Sequence, residues 1–112
     1  RCLAKYHLMD RVFKALSAPT RRRVLQLLRA RPMTAGELAQ HFDVSKPTMS
    51  GHFAVLREAD LIDGSKQGTT ITYRLKMSIL EDALLGFAHT FEFERKRERS
   101  RLATPDLLES DA

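Results

Sequence analysis

The stretch that decides the fold is TAGELAQHFDVSKPTMSGHFAVLREADLI, Thr34 to Ile62. Thr34-Ala35-Gly36-Glu37 has the form of a capping box: the Thr34 hydroxyl can accept the backbone N–H three residues on, and the Glu37 side chain can reach back. It predicts a short helix to Phe42, with Leu38, Ala39 and Phe42 on one face. Asp43-Val44 reads as a turn. Ser45 is a good N-cap, and Pro47 is tolerated in a first helical turn, where a missing N–H costs nothing. A second helix then runs to about Ala59, with Met49, Phe53 and Leu56 as its apolar stripe. Two helices around a turn of about three residues form a helix-turn-helix. The second helix turns Ser45, Lys46, Pro47, Thr48, Ser50 and Gly51 away from the stripe.

Upstream, Val12, Phe13 and Leu16 predict a short helix from Met9. Ser17-Ala18-Pro19-Thr20 interrupts it. Pro19 opens a further helix to Ala30, with Val24, Leu25, Leu27 and Leu28 inward, which Arg31-Pro32 ends. Residues 1–8, RCLAKYHL, are expected to be a poorly patterned extension.

Downstream, the period switches to two. Thr70, Thr72 and Arg74 alternate with Ile71, Tyr73 and Leu75, which predicts a strand. Leu61-Ile62-Asp63 can pair with it across a Gly64–Gly68 turn region that carries Lys66 and Gln67 at its tip. Ser78-Ile79-Leu80-Glu81 reads as a second capping box, opening a long helix striped with Leu80, Leu84, Phe87 and Phe91. Residues 95–112 are charged and polar and are expected to be a frayed or disordered tail. The expected architecture is mostly α, with a two-stranded β-wing, in the order ααααββα, as one domain over residues 9–94.

The 112 residues carry 19 Lys and Arg against 14 Asp and Glu. Residues 1–33 hold nine cations against one Asp, whereas 34–60 hold two against four. A basic front half suits an anionic partner, nucleic acid or an anionic surface; the alternative is a solvated positive face. The lone Cys2 cannot form an internal disulfide. No apolar run approaches the ~18–20 residues of a membrane span, so insertion is not expected and the cytoplasm is the expected compartment. Neither a phosphate-cradling glycine loop nor a nucleophile elbow appears, and no catalytic activity is expected.

A helix that enters a DNA major groove roughly 12 Å wide needs small side chains near its N-terminus. Ser45, Thr48 and Ser50 can bond phosphates or base edges, and Lys46 can reach a phosphate or a guanine. Pro47 and Gly51 keep the surface slim. The helix N-terminus adds unpaired N–H groups and partial positive charge. Arg21, Arg22, Arg57 and the wing residues Lys66, Gln67 and Arg74 are candidate backbone contacts. One such helix reads too few base pairs for useful specificity; two, about 34 Å apart, read an inverted repeat. That calls for a homodimer. Val12, Phe13 and Leu16 on the first helix, with Leu80, Leu84, Phe87 and Phe91 on the last, are the candidate interface.

FKALSAPTRRRVLQLL, the Thr34–Ile62 stretch and GTTITYRL together resemble the ArsR-type winged-helix transcriptional repressors. They are most similar to the metal-independent, SdpR-like autorepressor subgroup. The resemblance spans about Met9 to Phe93. It implies a homodimer that binds a palindromic operator, with autoregulation as the expected mode. Ala18 departs from the family's usual acidic helix cap, and Gly51 from a bulkier polar residue, often His. Where the family's thiolate sensors carry Glu-Leu-Cys-Val-Cys, this chain has Glu37-Leu38-Ala39-Gln40-His41. Asp82-Ala83-Leu84 lacks the histidine of the other common metal site, leaving His89 and Glu92. No metal or other cofactor is expected, and His52 reads as a packed or hydrogen-bonded structural residue. The rivals are a winged helix used for protein association and a metal-responsive repressor. An unidentified effector or protein antagonist stays open as a partner.

Overall fold

The computed structural model describes the backbone of residues 2–102 and the side-chain surroundings of residues 9–91. Five helices and a small sheet follow in the order α1 (Cys2–Leu16), α2 (Pro19–Ala30), β1 (Met33–Thr34), α3 (Ala35–Ala39), α4 (Lys46–Glu58), β2 (Ile62–Gln67), β3 (Thr70–Leu75) and α5 (Met77–Leu102). The helix-turn-helix and the hairpin stand where the sequence placed them. The capping box is formed in full: Glu37 N–H donates to Thr34 Oγ1 at 3.0 Å, and Thr34 N–H donates to Glu37 Oε1 at 2.9 Å. Ser45 caps α4, its Oγ accepting from the Thr48 N–H at 3.2 Å.

One continuous core ties the elements together. Val12 and Ala15 come from α1, Val24, Leu25 and Leu28 from α2, and Leu38 from α3. Met49, Phe53 and Leu56 come from α4, and Leu61, Ile62 and Tyr73 from the hairpin region. Leu38, Leu56 and Leu61 are fully buried, each worth about 1.5–3 kcal/mol relative to exposure.

The sheet has three strands, not two, in the order β1-β3-β2 and antiparallel throughout. Met33 pairs with Tyr73 and Thr34 with Thr72, so Thr34 serves both as a strand residue and as the α3 cap. Gly64 lies within β2, opposite Tyr73, and the hairpin closes in two residues, Gly68 and Thr69. Gly68 has φ +63°, the left-handed value needed at the first position of a type II′ loop. Lys66 and Gln67 are therefore the last residues of the strand, beside the tip.

The helix boundaries differ in four places. The first helix starts at Cys2, not Met9, so the 2–8 segment is helical despite its weak apolar pattern. The short helix of the helix-turn-helix ends at Ala39, and its last turns tighten into bonds from His41 N to Leu38 O and Phe42 N to Ala39 O. The last helix begins at Met77, which makes Ser78 its second residue, too late to cap it; the helix opens with the Ile79 and Leu80 N–H groups donating to Lys76 O. That helix continues through the charged run to Leu102. The tail expected beyond it lies outside the described residues.

Candidate nucleic-acid interface

The polar face of α4 follows from its stripe. Met49, Phe53 and Leu56 are anchored in the core, which turns Ser45, Lys46, Pro47, Thr48, Ser50 and Gly51 outward; all six are exposed. The Ser45 hydroxyl donates to Thr48 Oγ1 at 2.8 Å while accepting from the Thr48 N–H. Thr48 therefore keeps its own hydroxyl proton for an external acceptor. A cleft of about 280 Å³ runs between α3 and α4, with Ala35, Gly36 and Ala39 on one wall and Lys46, Met49, Ser50 and Phe53 on the other. A Cβ on Gly51 would meet nothing within 4 Å. The folded chain alone therefore does not require glycine there.

The wing is held against α4 by aromatic packing. Phe53 and Tyr73 stack with ring centroids 4.8 Å apart. Gly64 makes room for this, since a Cβ there would sit 3.1 Å from Tyr73 Cε1. Lys66 shares a cleft of about 410 Å³ with Arg57, Asp60 and Asp63, between the end of α4 and the wing. The structure thus brings Arg57 and Lys66 together. The Asp60 carboxylate in that cleft is engaged by Lys76 Nζ at 2.7 Å. Gln67 and Arg74 belong to the other face of the wing by strand alternation, and Arg74 stands opposite Asp63 in register.

Arg21 and Arg22 both make hydrogen bonds within the subunit. Arg21 Nε donates to Ala15 O at 2.8 Å, and its Nη2 to Lys14 O at 2.9 Å and Ser17 Oγ at 3.4 Å. Its Nη1 lies 3.1 Å from His52 Nδ1. Four of its five N–H groups are thereby engaged. Arg22 Nη1 donates to Leu16 O at 2.8 Å from an exposed position. These carbonyls belong to the last turn of α1, where cations are favoured, and Lys14 O also accepts from the Ser17 N–H and hydroxyl. The arginines sit at the start of α2 because they cap the helix before it. Arg21 has one N–H group left for a phosphate, whereas Arg22 is exposed and makes a single side-chain hydrogen bond among the described residues, leaving four.

His52 is half-buried on α4. Because Arg21 donates to Nδ1, that atom is the acceptor and the ring proton sits on Nε2. Burial, then the Arg21 charge, hold its pKa below the ordinary imidazole value. The Glu37 carboxyl is also held low, chiefly by the Thr34 N–H. The Lys76 ammonium is held high by its hydrogen bond to Asp60, at 2.7 Å.

The apolar candidates divide. Val12 is fully buried in the core and is withdrawn from the proposed interface: its side chain already packs within the subunit. Leu16 and Leu80 are half-buried against that core. Phe13 meets Phe87 at 4.8 Å, edge to face, and Phe87 meets Phe91 at 5.2 Å. Leu84, Leu85, Phe87 and Phe91 stay 42%, 66%, 44% and 59% exposed along α5. Leu85 lies off the Leu80, Leu84, Phe87 and Phe91 stripe, so the sequence pattern does not mark it. No three His, Cys, Asp or Glu side chains gather into a metal-binding group among the described residues, and none of the described helices is long and apolar enough to cross a membrane.

Comparison with known proteins finds relatives in sequence and in fold. A helix-turn-helix domain family matches residues 16–65. The transcriptional repressor SdpR of Bacillus subtilis is 45% identical over 76 residues, 68% of this chain and 84% of that protein. The arsenical resistance operon repressor of Staphylococcus aureus is 33% identical over 70% of this chain and 76% of its own length. Among solved structures, an ArsR family transcriptional regulator superposes with a TM-score of 0.74 at 30% identity, covering 80% of this chain and 92% of the other. The chain belongs to the ArsR family of winged helix-turn-helix, DNA-binding transcriptional repressors, a family of regulators and not of enzymes.

Proposed function

We propose that the protein acts as a homodimer on an inverted-repeat operator upstream of its own gene, in the cytoplasm, and represses by occupying the site that polymerase needs. The observation that carries this reading is the exposed face Ser45–Gly51, set on a helix whose other face is locked in the core and flanked by a wing fixed through Phe53 and Tyr73. Lys46, Ser45, Thr48 and Ser50 enter the major groove, with Pro47 and Gly51 leaving space for the backbone. Arg57, Lys66, Gln67 and Arg74 track the flanking phosphates. The exposed apolar row Leu84, Phe87 and Phe91, with Phe13 beside it, forms the dimer contact. Its open area suits a second copy because two recognition helices must be held about one duplex turn apart. Likeness to two proteins named as repressors supports repression over activation.

If each subunit neutralises about three phosphates, a dimer neutralises about six, and log affinity falls with log salt at a slope near −5. Fluorescence anisotropy with labelled DNA from upstream of the gene, against random duplex of equal length, tests the reading. Preference for the upstream DNA with that slope supports it; equal affinity for both removes sequence-specific repression.

A further inference from the structure

We infer that Arg21 is a positioning residue that ties the DNA-reading helix to the outer helical layer, with His52 as its latch. This rests on the operator-binding reading above and extends it. The contacts of Arg21 join three elements. Its Nε and Nη2 hold the last turn of α1 through Ala15 O and Lys14 O, and its Nη1 reaches His52 Nδ1 on α4, 31 residues away in sequence. The same α1 carries Phe13, whose ring packs on Phe87 of α5. The chain of contacts therefore runs from the proposed dimer layer, through α1 and Arg21, to a residue directly after Gly51 on the exposed face of α4.

The chemistry suits a latch. A guanidinium has fixed donor directions, so a partner held by several of its N–H groups is held in orientation as well as distance. A neutral imidazole accepts only at the nitrogen without a proton, so His52 must present Nδ1. Arg21 has little left for DNA, and the pair adds no phosphate contact. Its effect is geometric: it fixes how α4 is rotated relative to its partner's copy, which sets half-site spacing. Operator binding senses that angle, whereas random duplex binding, dominated by backbone charge, does not.

His52→Leu, His52→Gln and Arg21→Met, each as the full-length protein, test this with three probes: upstream DNA, the same DNA with one base pair inserted between half-sites, and random duplex. Loss of the latch is expected to weaken upstream binding of H52L about tenfold, the order set by one hydrogen bond to a charged group. Random-duplex affinity and the salt slope stay at wild-type values, and the insertion costs H52L less than it costs wild type. H52Q, whose amide oxygen can accept from Arg21, recovers most of the loss. Upstream binding by H52L equal to wild type overturns the inference. So does a salt slope shallower by about 2 in R21M, the mark of one lost phosphate contact per subunit. If R21M fails to fold, the H52L and H52Q pair decides alone. Wild-type protein that does not prefer upstream DNA overturns the operator reading and this inference together; a preference that H52L retains at the full wild-type ratio overturns only the latch.

Discussion

Replacing Gly51 with alanine separates the fold's requirements from those of DNA. Gly51 is the sixth residue of α4, well inside the helix, and is exposed. A glycine there costs about 0.5–1 kcal/mol relative to alanine, mostly in backbone entropy. The added Cβ meets no atom within 4 Å, so no clash subtracts from the gain. Gly51→Ala should therefore stabilise each subunit by that amount, raising Tm by roughly 2–8 °C for a domain of this size. The DNA side has the opposite sign. If the α4 backbone lies in van der Waals contact with the duplex, a methyl group at Gly51 forces the helix outward and stretches the hydrogen bonds of Thr48 and Ser50. Losing two such bonds weakens operator binding by about tenfold or more. Differential scanning calorimetry and anisotropy on one preparation read both quantities. A higher Tm with unchanged operator affinity refutes close backbone approach. A lower Tm refutes the account of Gly51 as an unhindered helix position.

Lys46→Ala should weaken operator and random DNA alike and make the salt slope of a dimer shallower by about 2, checked by anisotropy across a salt series. Leu84→Glu places a charge in the proposed dimer contact and should raise the dimer dissociation constant at least about a hundredfold, read by sedimentation equilibrium. His52 adds a pH dependence of folding. Its folded pKa lies below the ordinary imidazole value, so its contribution to stability is complete above pH about 6.5 and is lost as pH falls through the lower folded value. Urea unfolding at pH 7.5 and pH 5 should show a larger acid loss for wild type than for His52→Gln.

The elements set by local chemistry were legible. The Thr34 box, the Ser45 cap and the period-two pattern of Thr70–Leu75 act over three or four residues, and the folded chain uses each of them. Features set by distant partners were not. β1 is two residues long after Pro32 and exists because Tyr73 and Thr72 offer it a ladder, which no local pattern reveals. The intramolecular bonds of Arg21 and Arg22 have no local signal, because the carbonyls to which they donate belong to α1. Val12 shares an apolar face with Phe13 and Leu16, but only packing decides that it faces the core while Phe13 meets α5. The 2–8 helix has few cues beyond its continuity with the following turn. The exposed face of α4 was the most legible part of the site, because burying Met49, Phe53 and Leu56 leaves the remaining side chains one direction to point.

The central claim is that two copies of the Ser45–Gly51 face read two half-sites. Hydroxyl-radical footprinting of the upstream DNA tests it most directly. The account predicts two protected patches of inverted sequence, centred about 34 Å or one duplex turn apart, both lost when Lys46 and Ser50 are changed to alanine. A single protected patch, or two that persist in that double variant, would contradict it.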